Sequence, residues 1–458
     1  MTPEINVDLL RNWMQSCDSQ HDKCRLETPD IAEPRIRLVD VEGERVVSAS
    51  LAEDYVALSY VWGPNTVPLL TRGTLPQYTA LRGLRCSAIP RTISDAIEVV
   101  KAIGKRYLWV DSLCILQDDA RDKQQQLPIM DRIYSHADLV IIAAAGHDAH
   151  SGLPGVGKTE KRMLQHSDTI DGIDFVTAQP GVKQALEWTT WSSRGWTYQE
   201  AMLARRALIF TDTVVYWNCR DAIWREDMTG ESLGQDVKHL LSANNSIWGH
   251  FADQYMKAVC RTAVYSEHVA EFSTRSFKDE RDVLWAFLGV LKLQAPRFQK
   301  GFIWGLPYER LDATLLWSEN VRCRGVHQRD AHHAMVHGSR SYDIPYPSWS
   351  WLSTNTRVSF MHPCGDSVIS RIIWHEPYKL GDNDETSATW LKSVTTSKTN
   401  TADAGHQSPS TDWLSGVDGM DFGLLNFTAK TARLTIKIDQ DSSTSLPETD
   451  LDGEMPGN

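Results

Sequence analysis

The sequence has no segment that would carry it into or across a membrane. Its first 17 residues, MTPEINVDLLRNWMQSC, lack the basic stretch and the long apolar run of a signal peptide. The longest strongly apolar run, LVIIAAA at 139–145, is far shorter than the roughly 20 residues that span a bilayer. We therefore expect a soluble, cytoplasmic protein.

Positive charge and regularly spaced cysteines are also scarce. The formal net charge is -12 and the pI is about 5.7, which argues against binding to nucleic acid or to an anionic membrane surface, since either would require a basic face. The eight cysteines are scattered, so we expect free, mostly buried thiols instead of a disulfide scaffold. Tryptophan is abundant, and its 17 copies are expected chiefly as packing and interface residues.

Apolar strands alternate with helices through the first half of the 458-residue chain. The strands are continuous apolar runs, which is typical of a parallel sheet that is covered on both faces. The predicted fold class is therefore α/β, an open, mostly parallel sheet with helices on both faces. The predicted strands are 55–60, 107–110, 139–145 and 207–211, beside a hairpin at 35–48, and the predicted helices are 4–24, 92–103, 124–135 and 196–205.

Three residues set limits on these helices. Thr92 is expected to cap the start of the helix at 92–103, and Gly104 is expected to end it. Pro128 lacks a backbone N–H and clashes with the carbonyl one turn back. The helix around it is therefore expected either to begin at Pro128 or to kink there.

The predicted domain organisation has four parts. Residues 1–50 form an N-terminal helix and hairpin, and residues 51–215 form the main domain, with an irregular insertion at about 146–187. Residues 216–378 form an α+β C-terminal region. Residues 379–458 are predicted to be a mostly disordered acidic and polar tail. Within the third part, the predicted elements are helices at 252–270 and 279–293 and a Trp-rich strand region at 346–375.

Three blocks, in this order and spacing, resemble the heterokaryon incompatibility (HET) domain of fungi. They are YVALSYVWG at 55–63, IPRTISDAIEVVKAIGKRYLWVDSLCILQDD at 89–119 with its continuation to 146, and SSRGWTYQE at 192–200. The resemblance covers about residues 10–375 and is most specific at 55–212. It implies an intracellular protein of programmed cell death, whose domain is switched by self-association or by a partner.

HET domains are distantly similar to Toll/interleukin receptor (TIR) domains of innate immunity. Some TIR domains cleave NAD with a glutamate on a helix that follows the third strand and often carries the pattern W-C-x-x-E. Here Trp196 and Glu200 match the Trp and the Glu, and Thr197 stands at the Cys position. The resemblance implies Glu200 as the catalytic residue of an NAD glycohydrolase, with NAD as substrate and no required cofactor.

The spacing around Glu200 gives a separate physical argument. Trp196, Glu200 and Leu203 lie at i, i+4 and i+7, so they share one stripe of a helix, and Trp196 is predicted to line the substrate site. A carboxyl on an apolar face is costly unless it is paired or neutralised, and burial would raise its pKa toward the range useful for acid–base chemistry. The alternative is a structural ion pair between Glu200 and Arg194 or Arg205.

The ends of two predicted strands supply the other candidate binding residues. Asp111 ends one strand, and Ser59, Tyr60, Trp62 and Gly63 close the other. Ligands of open parallel sheets bind beyond the carboxyl ends of the strands, so these side chains are predicted to line a substrate crevice. The alternatives are a turn-capping role for Asp111 and a tight, packed turn at Trp62 and Gly63.

The segment GLPGVGKT at 152–159 matches the phosphate-loop pattern G-x-x-x-x-G-K-[ST]. A phosphate loop should leave its strand directly and open a helix that packs on the sheet. Here HDAHS intervenes after the strand, and Pro154 interrupts the loop. Nucleotide binding at 152–159 is therefore a minor alternative.

Cys17, His21 and Cys24 place three metal-binding side chains on one face of the N-terminal helix. A structural zinc ion normally takes four ligands, and no fourth ligand is evident near by in the sequence. Packed thiols beside a hydrogen-bonded histidine are favoured, so no metal site is predicted. Cys114, close to Asp111, is expected to be a small buried core residue and not a nucleophile.

These patterns together favour a cell-death effector of heterokaryon incompatibility, a form of non-self recognition, that acts through hydrolysis of NAD or a related nucleotide. The competing hypothesis is a self-association and interaction module without catalysis. Both hypotheses predict a protein partner or self-association, no nucleic acid and no membrane span.

Overall fold

In the computed structural model the chain divides into two compact units. The first comprises Met1–Val368 with Thr401–Met420, and the second comprises Ile369–Asn400 with Asp421–Asn458. In the second unit, one antiparallel strand pair is described. The described residues are 2–26, 34–64, 67–85, 88–157, 162–163, 165–228, 261–298, 300–319, 346, 350–354, 356–360, 372–374 and 427–429.

The strands and helices follow one another in chain order, and short 3-10 turns stand between some of them. The strands are β1 (Arg35–Asp40), β2 (Arg45–Ser50), β3 (Tyr55–Ser59), β4 (Tyr107–Trp109), β5 (Leu139–Ala143), β6 (Ser167–Ile170), β7 (Ile173–Val176), β8 (Arg206–Phe210), β9 (Val215–Cys219), β10 (Ile223–Arg225), β11 (Phe302–Ile303), β12 (Leu306–Pro307), β13 (Trp317–Glu319), β14 (Val358–Phe360), β15 (Ile372–Trp374) and β16 (Phe427–Ala429). The helices are α1 (Val7–Gln20), α2 (Leu75–Thr79), α3 (Arg91–Ala102), α4 (Asp111–Cys114), α5 (Ala120–Gln126), α6 (Met130–His136), α7 (Val182–Leu186), α8 (Gly195–Leu203), α9 (Arg261–Phe272), α10 (Trp285–Gln294) and α11 (Leu311–Thr314).

An eight-stranded sheet in the order β10-β9-β8-β5-β3-β4-β1-β2 forms the centre of the first unit. Its four middle strands, β8, β5, β3 and β4, are parallel to one another. Every residue of β3, β5 and β8 is buried, as expected for apolar strands covered on both faces. The α/β class and the parallel centre of the sheet are thus confirmed.

Both edges of this sheet differ from the prediction of a mostly parallel sheet. The hairpin β1–β2 joins β4 in antiparallel orientation, and β9 and β10 extend the other side, also antiparallel. The strand β9 was not predicted because its sequence, VYWNC, contains Asn218 and resembles a loop. The sheet thus continues across the predicted boundaries at residues 50 and 215, and the four-part division itself stays a prediction.

Pro128 ends one helix and precedes another. The helix α5 ends at Gln126, a 3-10 turn over Leu127–Ile129 contains the proline, and α6 begins at Met130. The missing N–H and the ring of the proline account for this interruption. The predicted single helix at 124–135 is therefore two short helices.

The two expected end signals of α3 had different outcomes. Gly104 has φ of +81°, the left-handed conformation expected just after a helix. Thr92, however, lies inside α3, which is preceded by Pro90 and has no side-chain cap. The hydroxyl of Thr92 instead accepts a hydrogen bond of 3.0 Å from the backbone N–H of Gly152. The capping prediction for Thr92 is wrong because a tertiary contact takes up its hydroxyl.

The helix α8, which carries Glu200, is buried on nearly all sides. It packs against α6, α10 and β3, and of its nine residues only Trp196 is not buried. The sequence predicted one buried stripe on α8, whereas the structure buries the helix on nearly all of its faces. The predicted irregular insertion before it contains the exposed hairpin β6–β7 and the short helix α7.

Aromatic side chains form the core around α9 and α10. The ring centroids of Phe272 and Phe287 are 4.6 Å apart, and Trp351 lies edge-on to both. The indole N–H of Trp351 donates to the Tyr265 hydroxyl at 2.8 Å. These contacts confirm the packing role expected for this tryptophan.

The C-terminal predictions are described only in part. Of the predicted helix at 252–270, residues 252–260 lie outside the described residues, as does nearly all of the predicted tail at 379–458. The predicted helix at 279–293 is present as a 3-10 turn followed by α10. Within the described part of the chain, every helix is too short or too polar to cross a bilayer.

Candidate functional site

Ser59 and Glu200 meet inside the first unit, although 141 positions separate them in the sequence. The hydroxyl of Ser59, at the carboxyl end of β3, donates a short hydrogen bond to Oε2 of Glu200 in α8. The same hydroxyl oxygen accepts a hydrogen bond of 2.7 Å from Nε1 of Trp191. Ser59, Trp191 and Glu200 thus form one hydrogen-bonded chain, called the Ser59–Glu200 cluster below.

The Ser59–Glu200 cluster is closed to solvent. Glu200 is 6% exposed, Trp191 is 2% exposed and Ser59 is fully buried. The segment just before α8, which contains Trp191, folds back by two hydrogen bonds from the Thr197 hydroxyl, to the carbonyls of Trp191 and Arg194. The packing therefore places a carboxyl group in an almost water-free environment.

An ion pair of Glu200 with Arg194 or Arg205 was the structural alternative, and the structure contradicts it. The guanidinium of Arg205 donates to the backbone carbonyls of Cys24, Ser135, His136 and Ala137. Arg194 lowers the pKa of Glu200 only as a neighbouring charge. A neutral hydroxyl, that of Ser59, is thus the partner of the carboxyl.

Burial raises the pKa of Glu200 from 4.5 to about 8, because the charged carboxylate loses its hydration. The hydrogen bond from Ser59 lowers that pKa in part, the negative charge of Asp111 raises it further, and the Tyr134 hydroxyl lowers it. At neutral pH the carboxyl is therefore mostly protonated. A group that exchanges its proton near pH 7 is suited to general acid–base work.

The segment after β3 is joined to the segment after β4 by two side-chain hydrogen bonds. The indole N–H of Trp62 donates to Oδ2 of Asp111 at 2.8 Å, and the Tyr60 hydroxyl donates to the Ser112 hydroxyl at 2.9 Å. Asp111 also accepts the backbone N–H of Ser112 at 2.6 Å, but α4, which begins at Asp111, has no side-chain cap, so the capping alternative for this residue is not borne out. Burial raises the pKa of Asp111 to about 6.

The predicted crevice residues lie together but do not line an open cleft. Ser59 and Tyr60 are buried, whereas Trp62, Gly63 and Asp111 are partly exposed. Gly63 has φ of +76° and faces Asp148, where an added Cβ would lie 2.2 Å from the Asp148 Cβ. The turn after β3 is thus tightly packed, in agreement with the alternative of a packed turn at Trp62 and Gly63. The substrate-binding roles of these residues stay predictions.

Trp196 lies outside the Ser59–Glu200 cluster. Its indole N–H donates to Oδ2 of Asp282 at 3.3 Å, just ahead of α10. The matching tryptophan of the sequence pattern therefore contacts the C-terminal part of the first unit. Trp191 is the tryptophan beside Glu200, and the sequence analysis did not select it because no helical spacing relates it to the carboxyl.

A cavity of about 760 Å³ is lined in part by Trp191. Its volume is within the range of about 300–1,000 Å³ that is usual for small-molecule sites. Trp191 and Tyr198 border it, together with α7, β9, β10 and the end of α9. Its charged lining residues are Lys183, Arg225, Arg275 and Arg357 against Glu187 and Glu271.

The geometry of the glycine-rich segment at 152–159 argues against a phosphate site. The backbone N–H of Leu153 donates to the Asp95 carboxylate at 2.8 Å, and that of Gly152 donates to Thr92. Two backbone amides that would hold a phosphate thus already donate to side chains of α3, and one of these is the Asp95 carboxylate, which would repel a phosphate. Lys158 and Thr159 lie outside the described residues.

Cys114, the last residue of α4, is fully buried, as expected, and burial raises the pKa of its thiol to about 12. A thiol that stays protonated is a poor nucleophile. The N-terminal residues Cys17, His21 and Cys24 lie close to a fourth metal-binding side chain, that of Cys219, which no sequence spacing relates to them.

Comparison with known proteins finds a family match over the part of the chain that contains this site. Residues 55–200 match the family model described as "Heterokaryon incompatibility protein (HET)". Over 157 residues the chain is 31% identical to heterokaryon incompatibility protein 6, OR allele, of Neurospora crassa, covering 31% of this chain and 19% of that protein. This chain therefore spans about a fifth of the length of that relative. No solved structure matches the chain significantly. The comparisons support a HET domain at residues 55–200, which contains Ser59, Asp111 and Glu200.

Proposed function

We propose that the chain is a fungal cell-death effector of heterokaryon incompatibility. The observation that carries this proposal is the match of residues 55–200 to the HET family, together with the relative named as an incompatibility protein. The matched segment holds the parallel strands β3, β4 and β5 and the first six residues of α8. We propose that this segment delivers the death signal and that the rest of the chain regulates it.

Induced expression in a filamentous fungus tests the effector proposal. We expect growth arrest and loss of membrane integrity in cells that make the protein, and normal growth in cells with the empty vector. Protein levels are followed by immunoblot in parallel. Normal growth at a clearly detected protein level would refute autonomous effector activity.

The finer proposal is that the HET domain hydrolyses NAD or a related nucleotide. In this reaction the bond between ribose C1′ and the nicotinamide nitrogen breaks, and its electron pair leaves with nicotinamide. Water adds its oxygen to C1′ and gives up a proton. A carboxylate near C1′ can accept that proton or stabilise the positive charge that develops on the sugar. Burial raises the pKa of Glu200 to about 8, so the closed cluster holds it protonated, and opening of the site to water, which lowers that pKa, would supply the carboxylate.

The cavity beside Trp191 supports a dinucleotide as the substrate. The lining carries four cationic side chains and two carboxylates, a balance that favours a pyrophosphate. Lys183 is paired with Glu271 and Arg225 with Asp227, so a bound pyrophosphate would compete with these carboxylates for the cations. Arg275 also stacks over the Tyr198 ring at 4.7 Å. Trp191 borders the cavity and also donates to Ser59, and we propose that movement of this side chain connects the cavity with Glu200.

The burial of Glu200 is consistent with a switched enzyme. At 6% exposure the carboxyl does not reach a substrate until Trp191 or the turn after β3 moves. We propose that self-association or a protein partner favours that movement. A site that is closed in the single chain would keep NAD cleavage low until the signal arrives.

Release of nicotinamide from NAD tests the enzymatic proposal. Purified full-length protein is incubated with NAD in dilute and in concentrated, assembled form. We expect Glu200→Gln to lower the rate by about 100-fold or more, the usual effect of losing an acid–base group. Glu98→Gln, at an exposed position of α3 in the same domain, is the matched control and should keep the wild-type rate. If the wild-type protein releases no nicotinamide even when concentrated and assembled, the enzymatic proposal fails.

The second candidate function is an assembly and interaction module without catalysis. The observation that favours it is the closed Ser59–Glu200 cluster, since a buried, hydrogen-bonded carboxyl can serve purely to position α8. The two candidates differ in the phenotype of Glu200→Gln. Growth arrest that persists in this variant, without nicotinamide release from either protein, supports the interaction module.

A further inference from the structure

Four metal-binding side chains converge on one point near the N-terminus of the chain. The atoms that could bind a metal on Cys17, His21, Cys24 and Cys219 all lie within 4.8 Å of one another. Nδ1 of His21 is 3.3 Å from Sγ of Cys219, although 198 positions separate the two residues. Cys219, at the end of β9, supplies the fourth ligand that the sequence around Cys17 lacked.

The local backbone explains how three of these side chains face inward. The helix α1 ends at Gln20, and the backbone N–H of His21 bonds to the Cys17 carbonyl at 3.0 Å. A 3-10 turn over Asp22–Cys24 then turns the chain back toward the helix. The predicted arrangement on one helix face is therefore a helix end followed by a turn. The C-x3-H-x2-C spacing suits this shape.

The fourth side chain is presented by the tight turn between β9 and β10. The backbone N–H of Cys219 donates to the Ala222 carbonyl at 2.9 Å, and the N–H of Ala222 donates to Sγ of Cys219 at 3.3 Å. An N–H aimed at sulfur stabilises the thiolate form that binds metal ions. This turn is thus shaped for a coordinated thiolate.

Burial and chemistry favour a metal over packed thiols. Cys17 and Cys24 are fully buried and Cys219 is 3% exposed, and all three are free thiols. Three sulfurs and one imidazole form a common ligand set of structural zinc, whose Zn–S distance of about 2.3 Å sets neighbouring sulfurs about 3.8 Å apart. The four ligand atoms lie within 4.8 Å of one another, so small side-chain movements would bring them to the distances of a zinc site.

The surroundings offset the charge of such a site. Three thiolates and one Zn²⁺ carry a net charge of about -1. The Arg205 guanidinium donates to the Cys24 carbonyl at 2.6 Å, and Arg220 directly follows Cys219 in the chain. Cationic side chains next to the group would stabilise an anionic metal centre.

We propose that Cys17, His21, Cys24 and Cys219 bind one zinc ion, which joins the N-terminal helix α1 to the end of β9. The ion is structural, since four protein ligands leave no coordination position for a substrate. Arg205 and Arg206, next to α8, contact the same region through Cys24 and Asp18. The site therefore holds α1 beside the C-terminal end of the helix that carries Glu200.

Zinc content of the full-length, tag-free protein tests this proposal. The protein is incubated with equimolar Zn²⁺ under reducing conditions, freed of excess metal and analysed by mass spectrometry of the elements. We expect about one zinc per folded chain. Reconstitution with Co²⁺ should give the intense visible bands of tetrahedral, thiolate-bound cobalt. Less than about 0.1 zinc per chain, or cobalt bands without thiolate charge transfer, would overturn the site.

Two cysteine variants identify the ligands. Cys219→Ser should lower the zinc content at least about 10-fold and the melting temperature by about 5 °C or more. Cys114→Ser, which alters a buried free thiol outside the group, is the matched control and should keep wild-type zinc. Unchanged zinc in Cys219→Ser removes this residue from the site and overturns the proposal. If Cys219→Ser does not fold, the cobalt spectrum of the wild-type protein decides.

Discussion

Glu200→Gln is expected to remove about 2 kcal/mol of pH dependence from the free energy of unfolding between pH 6 and pH 8. In the wild-type protein, burial raises the pKa of Glu200 to about 8 in the folded state, from 4.5. Between these values the folded chain holds a proton that the unfolded chain releases, so stability falls as pH rises. The neutral amide of glutamine binds no proton and abolishes this term.

The direction of the effect follows from the cause of the shift. The stabilising contribution of the protonated carboxyl is complete below about pH 4.5 and is lost as pH rises through about 8. The pKa of Asp111 is raised to about 6, so this group adds its own pH dependence of stability at lower pH, and the variant retains that dependence. The difference between the profiles of the wild-type protein and the variant therefore isolates Glu200.

Urea unfolding at pH 6, 7 and 8, followed by tryptophan fluorescence, measures this effect. Glu98→Gln is the control, because its side chain is exposed on α3 and should leave the pH dependence of the wild-type protein intact. Parallel stability profiles for the wild-type protein and Glu200→Gln would show that the carboxyl is ionised at neutral pH. The raised pKa, and with it the proposal that the closed cluster keeps Glu200 protonated until the site opens, would then be refuted.

Gly63→Ala is expected to destabilise the protein by about 2–4 kcal/mol. Two costs add at this position. The backbone has φ of +76°, which a residue with a Cβ adopts at a cost of about 1 kcal/mol, and the new Cβ would lie 2.2 Å from the Cβ of Asp148 and 3.0 Å from its Cα. Because the second contact is with the backbone, the turn after β3 has to shift.

Gly104→Ala is the matched control for this prediction. Gly104 has φ of +81°, but nothing lies within 4 Å of an added Cβ. It therefore pays only the conformational cost, about 1 kcal/mol. Chemical denaturation of both variants gives the difference, which measures how tightly Gly63 packs on Asp148. Equal losses would show that the turn after β3 is loose enough to admit a side chain, as an open crevice at Trp62 and Asp111 requires.

The two kinds of measurement on Glu200 answer different questions. A variant that gains stability at alkaline pH and loses nicotinamide release identifies a carboxyl kept at a cost to stability for its chemistry. A variant that gains stability and keeps the growth arrest identifies a structural group within an interaction module. The same substitution thus separates the two candidate functions.

The centre of the sheet was predictable because its signals are local. The strands β3, β5 and β8 are apolar runs, and runs of this kind are buried wherever helices cover a parallel sheet. The proline at 128 interrupts its helix for reasons that lie within one turn of the chain. The antiparallel strand β9 was missed, although its partners β8 and β10 are near it in sequence, because Asn218 interrupts its apolar run.

The sequence by itself determined the HET resemblance, the α/β class and the selection of Glu200, Cys17, His21 and Cys24. It did not determine their partners. Only the tertiary structure brought Ser59 to Glu200 across 141 positions and Cys219 to His21 across 198. The physical reason is common to both: spacing along a helix or strand fixes which side chains share a face, whereas the packing of the sheet and its helices decides which faces meet.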